Sequence, residues 1–147
     1  MNEHIDEQIK IEIVRLRASL ENKSKNDFHW NTSFYHSGFP KGCCGDSTDL
    51  LALHMKLKFN KCSSYCLGQG LKRNKSISHA WLMLDGYIID ITADQFNDLG
   101  YTNDPVIIEK HSEFHSLFHK TTINEIDTDK LVGTPIHHVL NSTLKPI

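Results

Sequence analysis

Between residues 4 and 22, Ile5, Ile9, Ile13, Leu16 and Leu20 recur every three or four positions, and Glu, Arg and Lys occupy much of the rest. This spacing predicts an amphipathic helix with one apolar stripe. Residues 23–42 lose the period. They mix Asn, Ser, Gly and Pro with Phe28, Trp30, Phe34, Tyr35 and Phe39, which reads as a long aromatic-rich loop, either functional or simply packed. A second helix is predicted over 44–59, apolar on most sides through Leu50, Leu51, Leu53, Met55 and Leu57. It is entered through Gly42-Cys43-Cys44-Gly45-Asp46-Ser47-Thr48, which offers capping side chains. A short strand follows at 63–67, closed by Gly68-Gln69-Gly70, with a basic loop running to Ser76.

The pattern then changes to period two. Ser78–Leu84 and Tyr87–Thr92 read as strands joined by Asp85-Gly86, a strong two-residue hairpin turn. Leu84 then faces Tyr87, Leu82 faces Ile89 and Ala80 faces Ile91, a wholly apolar face that packs on the 44–59 helix. On the other face Met83 meets Ile88, Trp81 meets Asp90 and His79 meets Thr92. His79 and Asp90 therefore become diagonal neighbours, about 7–8 Å apart in backbone. A one-residue slip would separate them and break the apolar face. Val106–Ile108 reads as a further strand, and 111–119 as a short helix with Phe114, Leu117 and Phe118 inward. Helices followed by strands predict an α+β fold, N-terminal helices packed on an antiparallel sheet.

The 147 residues suit one domain, 1–147, and 39% hydrophobic with 23% charged is ordinary for a globular chain. No apolar run is long enough to span a membrane, and the start Met1–Glu7 lacks the basic and apolar regions of a secretory signal. A cytoplasmic location with reduced thiols is the expectation for Cys43, Cys44, Cys62 and Cys66. A net charge of −2 argues against a dedicated nucleic-acid binder. The charge is uneven, however. Residues 56–75 hold Lys56, Lys58, Lys61, Lys72, Arg73 and Lys75 without an acid. Residues 85–109 hold Asp85, Asp90, Asp94, Asp98, Asp104 and Glu109 without Lys or Arg.

A carboxylate beside a histidine fixes its tautomer and raises the basicity of the other nitrogen. Cys43 and Cys44 lie at the start of a predicted helix, where free N–H groups favour a thiolate. The order Cys, His, Asp resembles the transglutaminase-like branch of the papain-like superfamily. Gly42-Cys43-Cys44 stands for that branch's Gly-x-Cys, His79-Ala80-Trp81 for its His-x-Trp and Asp90-Ile91-Thr92 for its Asp-x-Thr. Arylamine N-acetyltransferases share the chain order. The resemblance covers about residues 38–96 and implies a papain-like core with Cys44 as nucleophile, His79 as general base and acid, and Asp90 as its orienting group. Cys43 and Asp94 are the respective alternatives. It also implies cysteine-dependent acyl transfer or hydrolysis of an amide or ester through a thioester, in a protein, peptide or amide substrate, without a cofactor. The Cys44 N–H and a group near Trp30 or Asn31 would hold the oxyanion. Small size suits a bacterial accessory enzyme or effector.

Two other classes compete. The first is a catalytically inactive binding, immunity or effector module on the same fold. The second is a metal centre on His111, His115 and His119, which recur every four residues. Without a His-Glu-x-x-His pattern these read instead as an exposed stripe, and no metal is expected.

Overall fold

The structure is a computed structural model that describes residues 5–72 and 74–144. Asp6 accepts a 2.7 Å hydrogen bond from the Gln8 N–H and caps α1 (Glu7–Glu21). The start predicted at residue 4 lies outside the described residues. Ile9, Ile13, Leu16 and Leu20 are buried along one stripe. The predicted loop at 23–42 is corrected: a 3-10 turn at Lys25–Asp27 and the one-turn α2 (Ser33–His36) interrupt it. Phe28 and Phe34 stack with ring centroids 5.2 Å apart inside the core, whereas Trp30 is 66% exposed. Burial of the two phenylalanines fastens this segment.

α3 (Cys44–Phe59) forms as the sequence predicts and ends at Asn60 in the left-handed conformation. Leu50, Leu51, Leu53 and Met55 are buried on several sides of the helix, although Leu57 is exposed. Gly42, with φ +69°, makes the bend that feeds the chain into α3, and a Cβ there would meet the Ser37 Oγ at 2.7 Å.

The fold is α+β. A five-stranded antiparallel sheet has the order β4-β3-β2-β1-β5, made of β1 (Ser64–Leu71), β2 (Asn74–Leu84), β3 (Tyr87–Asp90), β4 (Ile107–Glu109) and β5 (Phe118–Glu125). Asp85 and Gly86 take φ of 51° and 83°, as a primed hairpin turn requires. Three expectations need correction. β1 runs on through Gly68-Gln69-Gly70, with a register shift between Gln69 and Leu71. Gly68 is tolerated there because rings cover it: a Cβ would lie 2.7 Å from Phe118 Cγ and 2.8 Å from Trp81 Cη2. The basic stretch is partly strand, since β2 begins at Asn74, while Arg73 lies outside the described residues. The predicted helix at 111–119 is a single turn, α4 (Glu113–Ser116), and Phe118 already belongs to β5. β5 and the C-terminal α5 (Pro135–Thr143) have no counterpart in the sequence reading.

Each face of the sheet carries its own core. On one side Leu82, Leu84, Ile89 and Ile91 pack with residues of α1, α3 and α5 in an aliphatic core. On the other, Cys66, Trp81, Phe96, Phe114 and Phe118 form an aromatic cluster. The predicted pairs Leu84–Tyr87, Met83–Ile88 and Leu82–Ile89 form, and the ladder stops there. Trp81–Asp90, Ala80–Ile91 and His79–Thr92 are not part of it. Just beyond the last pair, Arg17 on α1 engages the return segment. Its Nη1 donates to the Ile91 carbonyl at 2.5 Å and to the Pro105 carbonyl at 3.3 Å, while Nη1 and Nη2 grip the Asp94 carboxylate at 2.8 and 2.7 Å. The return strand ends at Asp90, and a 3-10 helix over Ala93–Leu99 follows.

Candidate active site

The divergence of β2 and β3 beyond Leu82 determines what α3 can reach. The ladder has ended at Leu82–Ile89, and the Ile91 carbonyl accepts from Arg17. The first residue of α3 comes close to Ala80 and His79 there. The half-buried Cys44 thiol lies beside the Ala80 N–H and the His79 imidazole, close enough for both to favour its anion. The start of α3, the helix of the aliphatic core, thus comes beside an imidazole that sits among the aromatic rings.

His79 is fully buried, with its Nε2 2.6 Å from Asp90 Oδ2. An ionised carboxylate only accepts, so Nε2 carries the proton and Nδ1 is left for Cys44. Nδ1 has no partner of ordinary hydrogen-bond geometry. Thiol and imidazole nonetheless perturb each other's ionisation. Burial pushes the Cys44 thiol up. The neighbouring His79 imidazole, with the Ala80 N–H, outweighs it and brings the thiol below its ordinary value against the opposing charge of Asp90. Burial disfavours the imidazolium, but the charge and hydrogen bond of Asp90, then Cys44, raise His79 to about 9. Burial likewise opposes the Asp90 charge, and the two histidines that contact it hold it well below the usual carboxylate range. The arrangement favours the thiolate and the imidazolium over what an isolated thiol and imidazole would show.

The second histidine is His115, which the sequence reading placed on an exposed stripe. It is buried, 4% exposed, with Nε2 also 2.6 Å from Asp90 Oδ2. Thr92 binds the other carboxylate oxygen through its N–H at 2.9 Å and its hydroxyl at 3.4 Å. The signal for His115 was Ser112, three residues earlier, which caps α4 and turns the histidine inward beside Phe114.

The two alternatives are placed elsewhere. Cys43 is fully buried, its Sγ 3.3 Å from the Lys41 carbonyl, and burial raises its thiol to about 11. Asp94 is engaged by Arg17. Asp46 receives the Ser33 N–H and hydroxyl at 2.7 and 2.8 Å, which ties α2 to α3. Trp30 stacks on His29, and the Asn31 N–H donates to His29 Nδ1. Tyr65, absent from the sequence reading, brings its hydroxyl over Gly45: a Cβ there would lie 3.2 Å from it. Burial and the negative charges of Cys44, Asp49 and Asp46 raise that phenol to about 12, so it remains a donor. Of the basic segment, Lys58 and Lys61 pair with Glu12 and Asp85 at 2.6 and 2.8 Å.

Among the described residues, His79, Asp90 and His115 form a group whose metal-ligating atoms lie within 4.8 Å of one another. Around an ion with bonds of about 2.0–2.1 Å, tetrahedral ligand atoms stand roughly 3.3 Å apart. The two 2.6 Å N···O separations are those of charge-assisted hydrogen bonds. As arranged, these atoms hold protons between them.

No family model, curated protein or solved structure matches the chain.

Proposed function

We propose that this protein is a cysteine-dependent acyl-transfer enzyme, with a core like that of the transglutaminase-like branch of the papain-like enzymes. Cys44 is the nucleophile, His79 the general base and acid, and Asp90 its orienting group. One observation carries the reading: the thiol at the start of α3 meets an imidazole whose far nitrogen is held 2.6 Å from a buried carboxylate.

The thiolate attacks the carbonyl carbon of an amide or ester. At the first position of α3 the Cys44 N–H has no acceptor within the helix and is available to the oxyanion. The Tyr65 hydroxyl is the second donor, and each such donor is worth about 3–4 kcal/mol in the transition state. The imidazolium Nδ1 proton passes to the leaving nitrogen or oxygen, the carbonyl carbon's bond to that atom breaks, and a Cys44 thioester remains. His79, neutral again, takes a proton from water or an amine, whose attack releases the acyl group and returns the thiolate. The substrate class is a protein, peptide or simpler amide.

The test needs no natural substrate. Incubation with p-nitrophenyl acetate followed by peptide mass spectrometry should find Cys44 acetylated. Cys44→Ala and His79→Ala should carry no label at that peptide. At pH 6 the Cys44 thiol should alkylate about tenfold faster than in the urea-unfolded chain. Slow, equal labelling of Cys44, Cys62 and Cys66 would refute the enzyme reading and leave a binding, immunity or effector module.

A further inference from the structure

Asp90 Oδ2 is shared. Two imidazole N–H groups, from His79 and His115, reach it at 2.6 Å each from different elements, β2 and α4. His115 is fixed on every side. Its ring meets Trp81 edge-on with centroids 4.5 Å apart, and its Nδ1 lies 2.5 Å from Ser112 Oγ. In the neutral ring Nε2 donates to Asp90 and Nδ1 accepts from the Ser112 hydroxyl. Ser112 Oγ in turn accepts from the His115 backbone N–H at 3.4 Å. A directed chain of donors therefore runs from Ser112 through His115 to Asp90, and meets there the donor from His79.

Packing alone does not account for this. A buried turn beside Trp81 and Phe118 could be filled by a third phenyl ring. Instead a donor is aimed at the oxygen that His79 uses. Burying a carboxylate raises the cost of its charge steeply unless hydrogen bonds compensate, and His79 remains a strong base only while Asp90 stays ionised. We propose that His115, oriented by Ser112, is a positioning residue for the Cys44–His79 pair: it keeps Asp90 charged and aligned, and through Asp90 it sets the pH at which Cys44 becomes a thiolate. This inference rests on the function proposed above and adds His115 and Ser112 to that site.

The groups facing His115 are Asp90 on β3, His79 on β2 and Ser112 at the head of α4. Lys110, His111 and Glu113 line the cavity it borders. His111 lies on its own segment, so a His111→Ala control separates that ring from His115.

The experiment follows the alkylation rate of Cys44 between pH 5 and 9, by iodoacetamide and peptide mass spectrometry, in folded protein verified by circular dichroism. Rapid labelling of the parent protein at pH 6 tests the active-site reading by itself; its absence refutes that reading. Given rapid labelling, His115→Phe should move the profile to higher pH and slow alkylation at pH 6 about tenfold, the loss expected for one charge-assisted hydrogen bond. His115→Gln keeps an N–H donor and should recover most of the rate. Ser112→Ala frees the tautomer of His115 without emptying the core, and should give a shift of the same sign, about threefold in rate. It also serves if His115→Phe does not fold. Parent-like profiles in Ser112→Ala and in a folded His115→Phe, or a shift that His111→Ala reproduces, would overturn the proposal.

Discussion

The two faces of the sheet are built on different principles. The helical face is aliphatic, with Leu82, Leu84, Ile89 and Ile91 under long helices that bury continuous stripes. The opposite face is aromatic, roofed by a 3-10 helix and a single turn, and it encloses a carboxylate and two histidines. Aliphatic packing is non-directional and tolerates compensation. A buried charge network tolerates little, because each unpaired group keeps its full desolvation cost. The first face supplies stability, and the second spends some of it on holding Asp90 and its two histidines in the interior.

The sharpest way to break this contrast is to remove the charge itself. Asp90→Ala leaves the Nε2 atoms of His79 and His115 without their acceptor, and should cost about 3–5 kcal/mol in urea unfolding while abolishing labelling of Cys44 at pH 6. Leu82→Ala on the aliphatic face should cost about 2–5 kcal/mol, yet the folded fraction should keep the parent labelling profile. Equal loss of reactivity in both variants would show that the faces are not separable. Gly68→Ala inserts a methyl into the Trp81 and Phe118 rings and should cost about 1–3 kcal/mol, with the thermal midpoint as its measure and slower labelling as its signature.

The smallest effect concerns acid. Glu12 sits at the rim of the aliphatic core, bonded to His54 at 2.9 Å and to Lys58 at 2.6 Å. Burial opposes its charge, but Lys58, His54 and Arg15 prevail and hold it at about 2. A depressed carboxyl contributes stability that is fully present above its unfolded value and is lost as pH falls through the folded one. Glu12→Gln should therefore flatten the decline of the thermal midpoint between pH 4.5 and 2. An unchanged slope would assign that decline to other carboxylates.

The difference between the faces also decided what could be read in advance. Ile9, Ile13, Leu16 and Leu20 repeat with the helix, and Asp85-Gly86 names its own turn, so α1, α3 and the hairpin were legible. The hairpin pattern likewise placed His79 and Asp90 on a common face. β5 was not legible, since an edge strand that is mostly exposed carries no alternation. His115 was missed because three histidines four apart suggest one helix, whereas the helix ends after a turn and only the middle one goes inward. The C-terminal helix does carry a sequence signal, Thr134-Pro135 followed by Ile136, Val139, Leu140 and Thr143.

Arg17 carries a consequence for the buried acid. Its guanidinium, delivered by α1, binds the Ile91 and Pro105 carbonyls and the Asp94 carboxylate, and so ties the first helix to the segment that leaves Asp90. We expect Arg17→Met to loosen that segment and slow labelling of Cys44 in protein that still shows a full sheet by circular dichroism. A side chain of the first helix would then steady the interior carboxylate without touching it.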